Sequence, residues 1–215
     1  MADTLLETVR IIDGVAPLWP LHRWRLMNSA LLLGLPLPEF DAPAGGADRV
    51  LRIEFSGEAP QLTEREIGSV EPVSLASAPA PHRGYPHKTT TRAWLEAARA
   101  TGRATGADDA LMFDTAGRLI EATRWAIGWW DGEILCFPPA ALGGLKSVAR
   151  ARLTEMARGG VRDAVLTRDE LAKRSLLACN AARGVLSVGM LDGTLLPPNP
   201  RTDALAKRFW DRSPA

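Results

Sequence analysis

Two of the three Asp-Gly pairs set the strongest limit on what this chain can fold into. One lies in AIGWWDGEILCFPP, residues 126 to 139, and the other in VGMLDGTLLPP, residues 188 to 198. Each is flanked by apolar runs. Asp tolerates positive φ and Gly accepts it freely, so such a pair is the strongest short-range signal for a two-residue hairpin. The chain must therefore carry antiparallel sheet.

The surrounding sequence fits that start. Residues 4 to 13 and 49 to 56 alternate apolar and polar side chains, as half-buried strands do. DALMFDTAGRLIEA reads as a strand, a turn at Thr115 to Gly117 and a second strand, and LLACNAARGVLSV as a strand entering a turn. PLHRWRLMNSALLLG reads as a helix, with Pro20 in its first turn and Gly34 at its C-terminal cap. Further helices are expected over 91 to 101 (Trp94, Leu95 and Ala98 on one face) and over Ser147 to Arg158, closed by Gly159-Gly160. A short one opens at the capping box TRDE, 167 to 170. The proline-rich PVSLASAPAPHRGYP reads as a strand running into a linker. These elements predict an α+β protein of two lobes: a small N-terminal α/β lobe over 1–80, a linker over 81–88, and a larger lobe over 89–215.

Composition removes several classes of function. The 215 residues carry 26 basic against 25 acidic side chains, a net charge of +1 that leaves no nucleic-acid footprint. Cys136 and Cys179 sit in apolar strand-like runs and read as reduced packing thiols, which suits the cytoplasm. No C-x-x-C or H-x-x-x-H spacing suggests a metal. MADTLLETVR lacks the basic-then-apolar run of a signal peptide, and SALLLGLPL is far too short to span a membrane. A cytoplasmic protein without membrane or nucleic-acid partners is expected.

Lysine occurs four times against 22 arginines. One of the four, Lys88, lies in HRGYPHKTTTRAW, residues 82 to 94, and read alone it is a solvated surface charge. Its meaning changes beside three other segments. LLETVRIIDGVAPLWPLHRWRLMNSALLLG carries Leu21, His22, Arg25, Leu26, Ser29 and Ala30. DDALMFDTAGRLIEATRW carries Glu121, and FPPAALGGLKSVARARL carries Val148 and Ala149 at a helix start. Together they offer an amine, an acid, a guanidinium and free helix amides.

In that order and spacing the chain, from about Leu6 to Val188, resembles the class IV aminotransferases, the fold-type IV group of pyridoxal phosphate enzymes. Their members include branched-chain and D-amino-acid aminotransferases and 4-amino-4-deoxychorismate lyase. The resemblance implies the D-amino-acid aminotransferase-like fold, with a pseudo-barrel larger lobe, and pyridoxal 5′-phosphate as cofactor. By the same match Lys88 is the catalytic lysine that takes up the cofactor aldehyde and then serves as general base. Glu121 pairs with the ring nitrogen, Arg25 donates its fork to the phosphate, and the Val148 and Ala149 amides complete the phosphate site. LLACNAARGVLSV places Asn180 and Ala181 near phosphate or substrate, with Cys179 as packing.

Lys88-Thr89 with Arg92, Ala93 where other branches carry tyrosine, and Cys179-Asn180-Ala181 lean towards the lyase, which eliminates pyruvate to give 4-aminobenzoate. An amino-acid aminotransferase is the alternative. A non-catalytic relative is the third reading, since Ala126, Gly128, Lys146, Ser147 and Ala149 depart from the family pattern. Ser147 reads as a phosphate donor or, more simply, a helix cap. A hydrolase built on His22, His82 or His87 lacks any G-x-S-x-G partner, and His87 reads as a neighbour that tunes the field at Lys88. A homodimer with sites at the subunit boundary follows from the resemblance. Trp125, Trp129 and Trp130 suit either such an interface or the core.

Overall fold

The computed structural model describes residues 4–157 and 160–211. Two sheets organise the chain. The smaller is antiparallel, ordered β1 (Leu5–Ile11), β2 (Arg49–Phe55), β3 (Gln61–Arg65). Helix α1 (Trp19–Leu32) covers it, burying Leu26 and Ala30 against Leu5 and Phe55. Sequence alternation finds β1 and β2. It misses β3, whose residues QLTER are all exposed and leave no apolar period to read.

The larger sheet has nine strands: β4 (Val73–Ser77), β5 (Asp109–Phe113), β6 (Leu119–Ala122), β7 (Ala126–Asp131), β8 (Ile134–Phe137), β9 (Val161–Asp163), β10 (Leu176–Asn180), β11 (Gly184–Leu191) and β12 (Thr194–Leu195). Their order is β6-β5-β4-β11-β10-β7-β8-β9, with β12 on β11. β6 and β7 stand far apart in that order, yet only residues 123 to 125 join them. The Ala122 N–H also donates to the Trp125 carbonyl at 2.9 Å. The sheet must therefore curl back on itself. The Leu119 N–H reaches the Leu166 carbonyl, just after β9, at 2.8 Å and brings the two edges together.

β4 shows where the chain passes from one sheet to the other. It belongs to the larger sheet, parallel to both β5 and β11, so the passage between sheets falls between β3 and β4. Its residues V-S-L-A-S carry no mark of which sheet they join.

Both Asp-Gly hairpins form, with different turns. In the second, Leu191 pairs with Thr194, and Asp192 and Gly193 both take positive φ (48° and 77°), the type I′ pattern. In the first, Asp131 itself pairs with Ile134. Gly132 (φ 61°) and Glu133 make the loop, with glycine first as a type II′ turn needs.

Helix α2 (Ala93–Ala104) starts later and runs further than its pattern suggests. α3 (Val148–Met156) opens at Ser147, whose hydroxyl accepts the Arg150 N–H, so the capping reading of Ser147 is the one realised. The proposed end at Arg158-Gly159 lies outside the described residues. The TRDE box caps α4 (Arg168–Leu171). α5 (Pro200–Arg208), unforeseen from sequence, is capped by Asn199 and lies beside β11; Phe209, just past its end, is fully buried. Trp125 and Trp129 are buried in the main core, while Trp130 donates its indole N–H to Thr202 of α5 at 2.9 Å.

Candidate active site

Lys88 is fixed by its backbone from two directions. Its carbonyl accepts the Leu6 N–H at 2.7 Å, and the Thr90 N–H reaches the Thr4 carbonyl at 2.9 Å, so this segment pairs with β1. Thr89 spends both of its backbone groups on Tyr85: its N–H donates to the phenol oxygen at 2.9 Å, and the phenol donates back to its carbonyl at 2.6 Å. Replacing Tyr85 with Phe leaves two buried backbone groups unpaired. The expected cost is about 1–3 kcal/mol of stability, read from the shift in urea midpoint.

The lysine faces a cleft of about 510 Å³ between the sheets. Arg25, Lys88, Glu121, Val148, Asn180 and Ala181 all line it, although they come from five separate segments. Ala149 does not: it is wholly buried at the second position of α3. A smaller, mainly apolar hollow of about 310 Å³ beside Trp24 and Phe137 shares Arg25, Glu121, Leu145 and Ser147 with the cleft.

Electrostatics in the cleft are shaped by burial. Desolvation, helped by the Arg25 and Arg92 charges, pulls the Lys88 ammonium down from 10.5 to about 7. Near neutral pH a large share of this amine is thus unprotonated.

Arg25 is held mainly by an acid of β1. Its fork is spent on Glu7, with Nε on Oε1 at 2.8 Å and Nη2 on Oε2 at 2.5 Å, while Nη1 reaches the Lys146 carbonyl at 3.0 Å. Two N–H groups remain for an anion in place of a whole fork. His22, fully buried, completes the group with Nδ1 at 2.6 Å from Glu7. Burial holds this imidazole neutral, so it donates Nδ1–H to the carboxylate. Burial alone would raise the Glu7 carboxyl. Arg25 and His22 together outweigh it and hold the pKa at about 2.

Sequence reasoning missed Glu7 as a site residue. The available signal was a glutamate at an inward position of an alternating strand, between Leu5 and Val9.

Glu121 is held at both oxygens. The Leu145 N–H donates to Oε2 at 3.2 Å, and His82 Nε2 stands 3.0 Å from Oε1. The Gly84 N–H donates to His82 Nδ1 at 3.0 Å, which places the ring proton on Nε2 and makes His82 a donor to Glu121. His82 thus serves as an orienting group for the carboxylate. His87 instead meets the Ser29 hydroxyl at 3.2 Å and ties α1 to the lysine segment.

Asn180 accepts the Ala182 and Arg183 N–H groups at 3.0 and 2.8 Å, so its side chain shapes the β10–β11 turn. Cys179 is fully buried and its thiol is pushed far up by burial, which makes it packing.

A curled mixed sheet, a small α/β lobe and a half-buried lysine sharing a cleft with a carboxylate and a helix N-terminus define the class of protein: a two-lobed enzyme suited to an aldehyde cofactor with a phosphate tail. The family follows from sequence. Residues 57–190 match the amino-transferase class IV model, and the chain belongs to that family, whose cofactor is pyridoxal 5′-phosphate.

Solved structures share the fold. A Legionella pneumophila protein provisionally designated a 4-amino-4-deoxychorismate lyase is 23% identical. The match covers 99% of this chain and 92% of that one, with a TM-score of 0.86. A hypothetical aminotransferase of Mycobacterium tuberculosis, in its PLP-bound form, is 22% identical over 98% and 88%, at 0.81. The branched-chain amino acid aminotransferase of Escherichia coli is 15% identical over 97% and 84%, at 0.84. Nothing among the curated proteins matches the chain. No helix among the described residues is long and apolar enough to cross a membrane.

Proposed function

We propose that this chain is a pyridoxal phosphate-dependent lyase of the 4-amino-4-deoxychorismate type, working at the cleft around Lys88. The observation that carries the enzymatic reading is the Lys88 amine, held near a pKa of about 7 in a cleft lined by Glu121 and the start of α3. A non-catalytic module has no use for a desolvated lysine, which costs stability.

Lys88, Glu121, Arg25 and the first amides of α3 are the groups that would hold the cofactor. The amides at the first turn of a helix have no intrahelical acceptor, and Val148 brings the first of them to the cleft wall. When bound, pyridoxal phosphate supplies an aldehyde for the substrate amine and a ring that accepts electrons from the neighbouring carbon. Glu121, held ready by His82 and Leu145, offers its carboxylate to the ring nitrogen. Lys88 Nζ, neutral, takes the proton from the amine-bearing carbon. The segment Lys88-Thr89 with Arg92, the alanine at 93 and the Cys179-Asn180-Ala181 turn favour elimination over transamination. A homodimer completing the cleft accords with this reading.

The test is a comparison on purified protein loaded with cofactor. Conversion of aminodeoxychorismate to 4-aminobenzoate is expected, with no transamination across a panel of L- and D-amino acids. Transamination without lyase activity would reverse the assignment.

A further inference from the structure

The peptide unit that follows Lys88 is held at both of its polar atoms, by different parts of the molecule. Its carbonyl oxygen accepts the Leu6 N–H of β1 at 2.7 Å. Its N–H, that of Thr89, donates to the Tyr85 phenol at 2.9 Å, and the phenol donates on to the Thr89 carbonyl at 2.6 Å. A peptide unit is planar, so fixing its oxygen and its nitrogen fixes the whole plane. That plane carries the Lys88 Cα and so governs how the side chain leaves the backbone.

Tyr85 is itself anchored on the side of the larger sheet. Its N–H donates to the Gly143 carbonyl at 2.7 Å. Its ring is buried among Leu95 and Ala98 of α2 and Ala110 and Met112 of β5, and Trp94 stands edge-on to it with centroids 6.4 Å apart. This apolar cluster asks only for a ring, which phenylalanine would supply. Both of the hydroxyl's bonds fall on the residue after the lysine. Burial raises the phenol above its ordinary pKa of 10.0, so it keeps the proton it donates. It is the chain's single tyrosine, and it lines the cleft beside Lys88.

The charges around the amine come from several elements. Arg25 of α1, Arg92 at the start of α2, Glu7 of β1 and Glu121 of β6 all act on it. His22 of α1 feels its charge, and His87, its neighbour in the chain, is turned to Ser29. Substituting the Tyr85 hydroxyl removes none of these groups. What it changes is solvation, the largest influence on the amine. Without the phenol the Thr89 N–H and carbonyl must turn to water, and that water arrives one residue from Lys88.

We propose that Tyr85 is a positioning residue for Lys88: its hydroxyl holds the Lys88–Thr89 peptide from the larger-sheet side and so keeps the amine in place in the cleft and screened from water. The proposal rests on the reading of Lys88 as the group that takes up the cofactor.

The test measures the amine itself. Competitive labelling with trace acetic anhydride, read by peptide mass spectrometry over a pH series, gives the titration midpoint of Lys88 in cofactor-free chain. The exposed Lys146, Lys173 and Lys207 serve as internal references for the reagent. In Tyr85→Phe the midpoint should rise from about 7 by on the order of one pH unit, because part of the desolvation is lost. At pH 7 the neutral fraction, and with it the rate of cofactor uptake, should then fall about fivefold. Trp130→Phe is the control: it loses one hydrogen bond to Thr202 outside the cleft, and its Lys88 midpoint should stay at the parent value. An unmoved midpoint in Tyr85→Phe, or an equal rise in Trp130→Phe, would overturn the proposal. If melting curves show that Tyr85→Phe does not fold, the parent chain decides. Labelled with [ζ-13C]tyrosine it gives one resonance, which should move with the Lys88 midpoint and lose that inflection in Lys88→Met. A resonance that stays flat as Lys88 titrates would sink the idea. Failure of the cofactor reading shows separately: borohydride then fixes no pyridoxal phosphate to the parent chain, while the acetylation profile still reads the effect of Tyr85.

Discussion

Lys88→Ala protein is expected to take up pyridoxal phosphate only reversibly, and borohydride should fix no cofactor to it. In the parent chain the same treatment should label Lys88, as peptide mass mapping will show. Turnover should fall by on the order of a thousandfold or more, since both the attachment point and the proton carrier go. The pH dependence has a definite sign. Burial and the Arg25 and Arg92 charges lower the amine to about 7, and the neutral form is the reactive one. The rate of cofactor uptake should therefore rise with pH through about 7 and level off above it. A profile still rising at pH 9 would mean that Lys88 is solvated and the cleft open.

The second large effect concerns stability. Glu7 is buried at 1% exposure between Arg25 and His22. Its removal as Glu7→Ala strands a guanidinium in the interior, and breaking such a pair costs about 3–5 kcal/mol. Its titration gives an independent signature. The folded-state carboxyl is depressed from 4.5 to about 2, so folding favours the ionised form. That contribution is complete above the unfolded pKa and is lost as pH falls from about 4.5 towards 2, roughly 3 kcal/mol in all. Urea unfolding at a series of acid pH values should show this slope in the parent chain and a much weaker one in Glu7→Gln. Equal slopes in both would place the acid sensitivity elsewhere.

How much of this could be read in advance depends on whether a feature is local. The Asp192-Gly193 hairpin, the TRDE cap and the alternation of β1 are decided by residues within a few positions of one another, and each forms as its pattern says. β3 escapes because all five of its residues face outward, and a strand without a buried face has no period. Which sheet β4 joins is not legible, because partner choice is a property of topology. The spacing of whole motifs names Lys88 and Glu121 together, and both line the cleft. The use of Arg25 is not legible, since Glu7 lies 18 residues away and nothing in the sequence reveals that the two meet.

That lysine segment also fixes what the molecule can do mechanically. The Leu6-to-Lys88 and Thr90-to-Thr4 hydrogen bonds stitch the chain's reactive point into the first strand of the small sheet. Parting the small sheet from this segment breaks those hydrogen bonds and moves the lysine. The width of the reaction chamber at the lysine is thus tied to this seam. Amide hydrogen exchange at Leu6 and Thr90 reports on that seam directly, because these two protons are released only when the chamber itself comes undone.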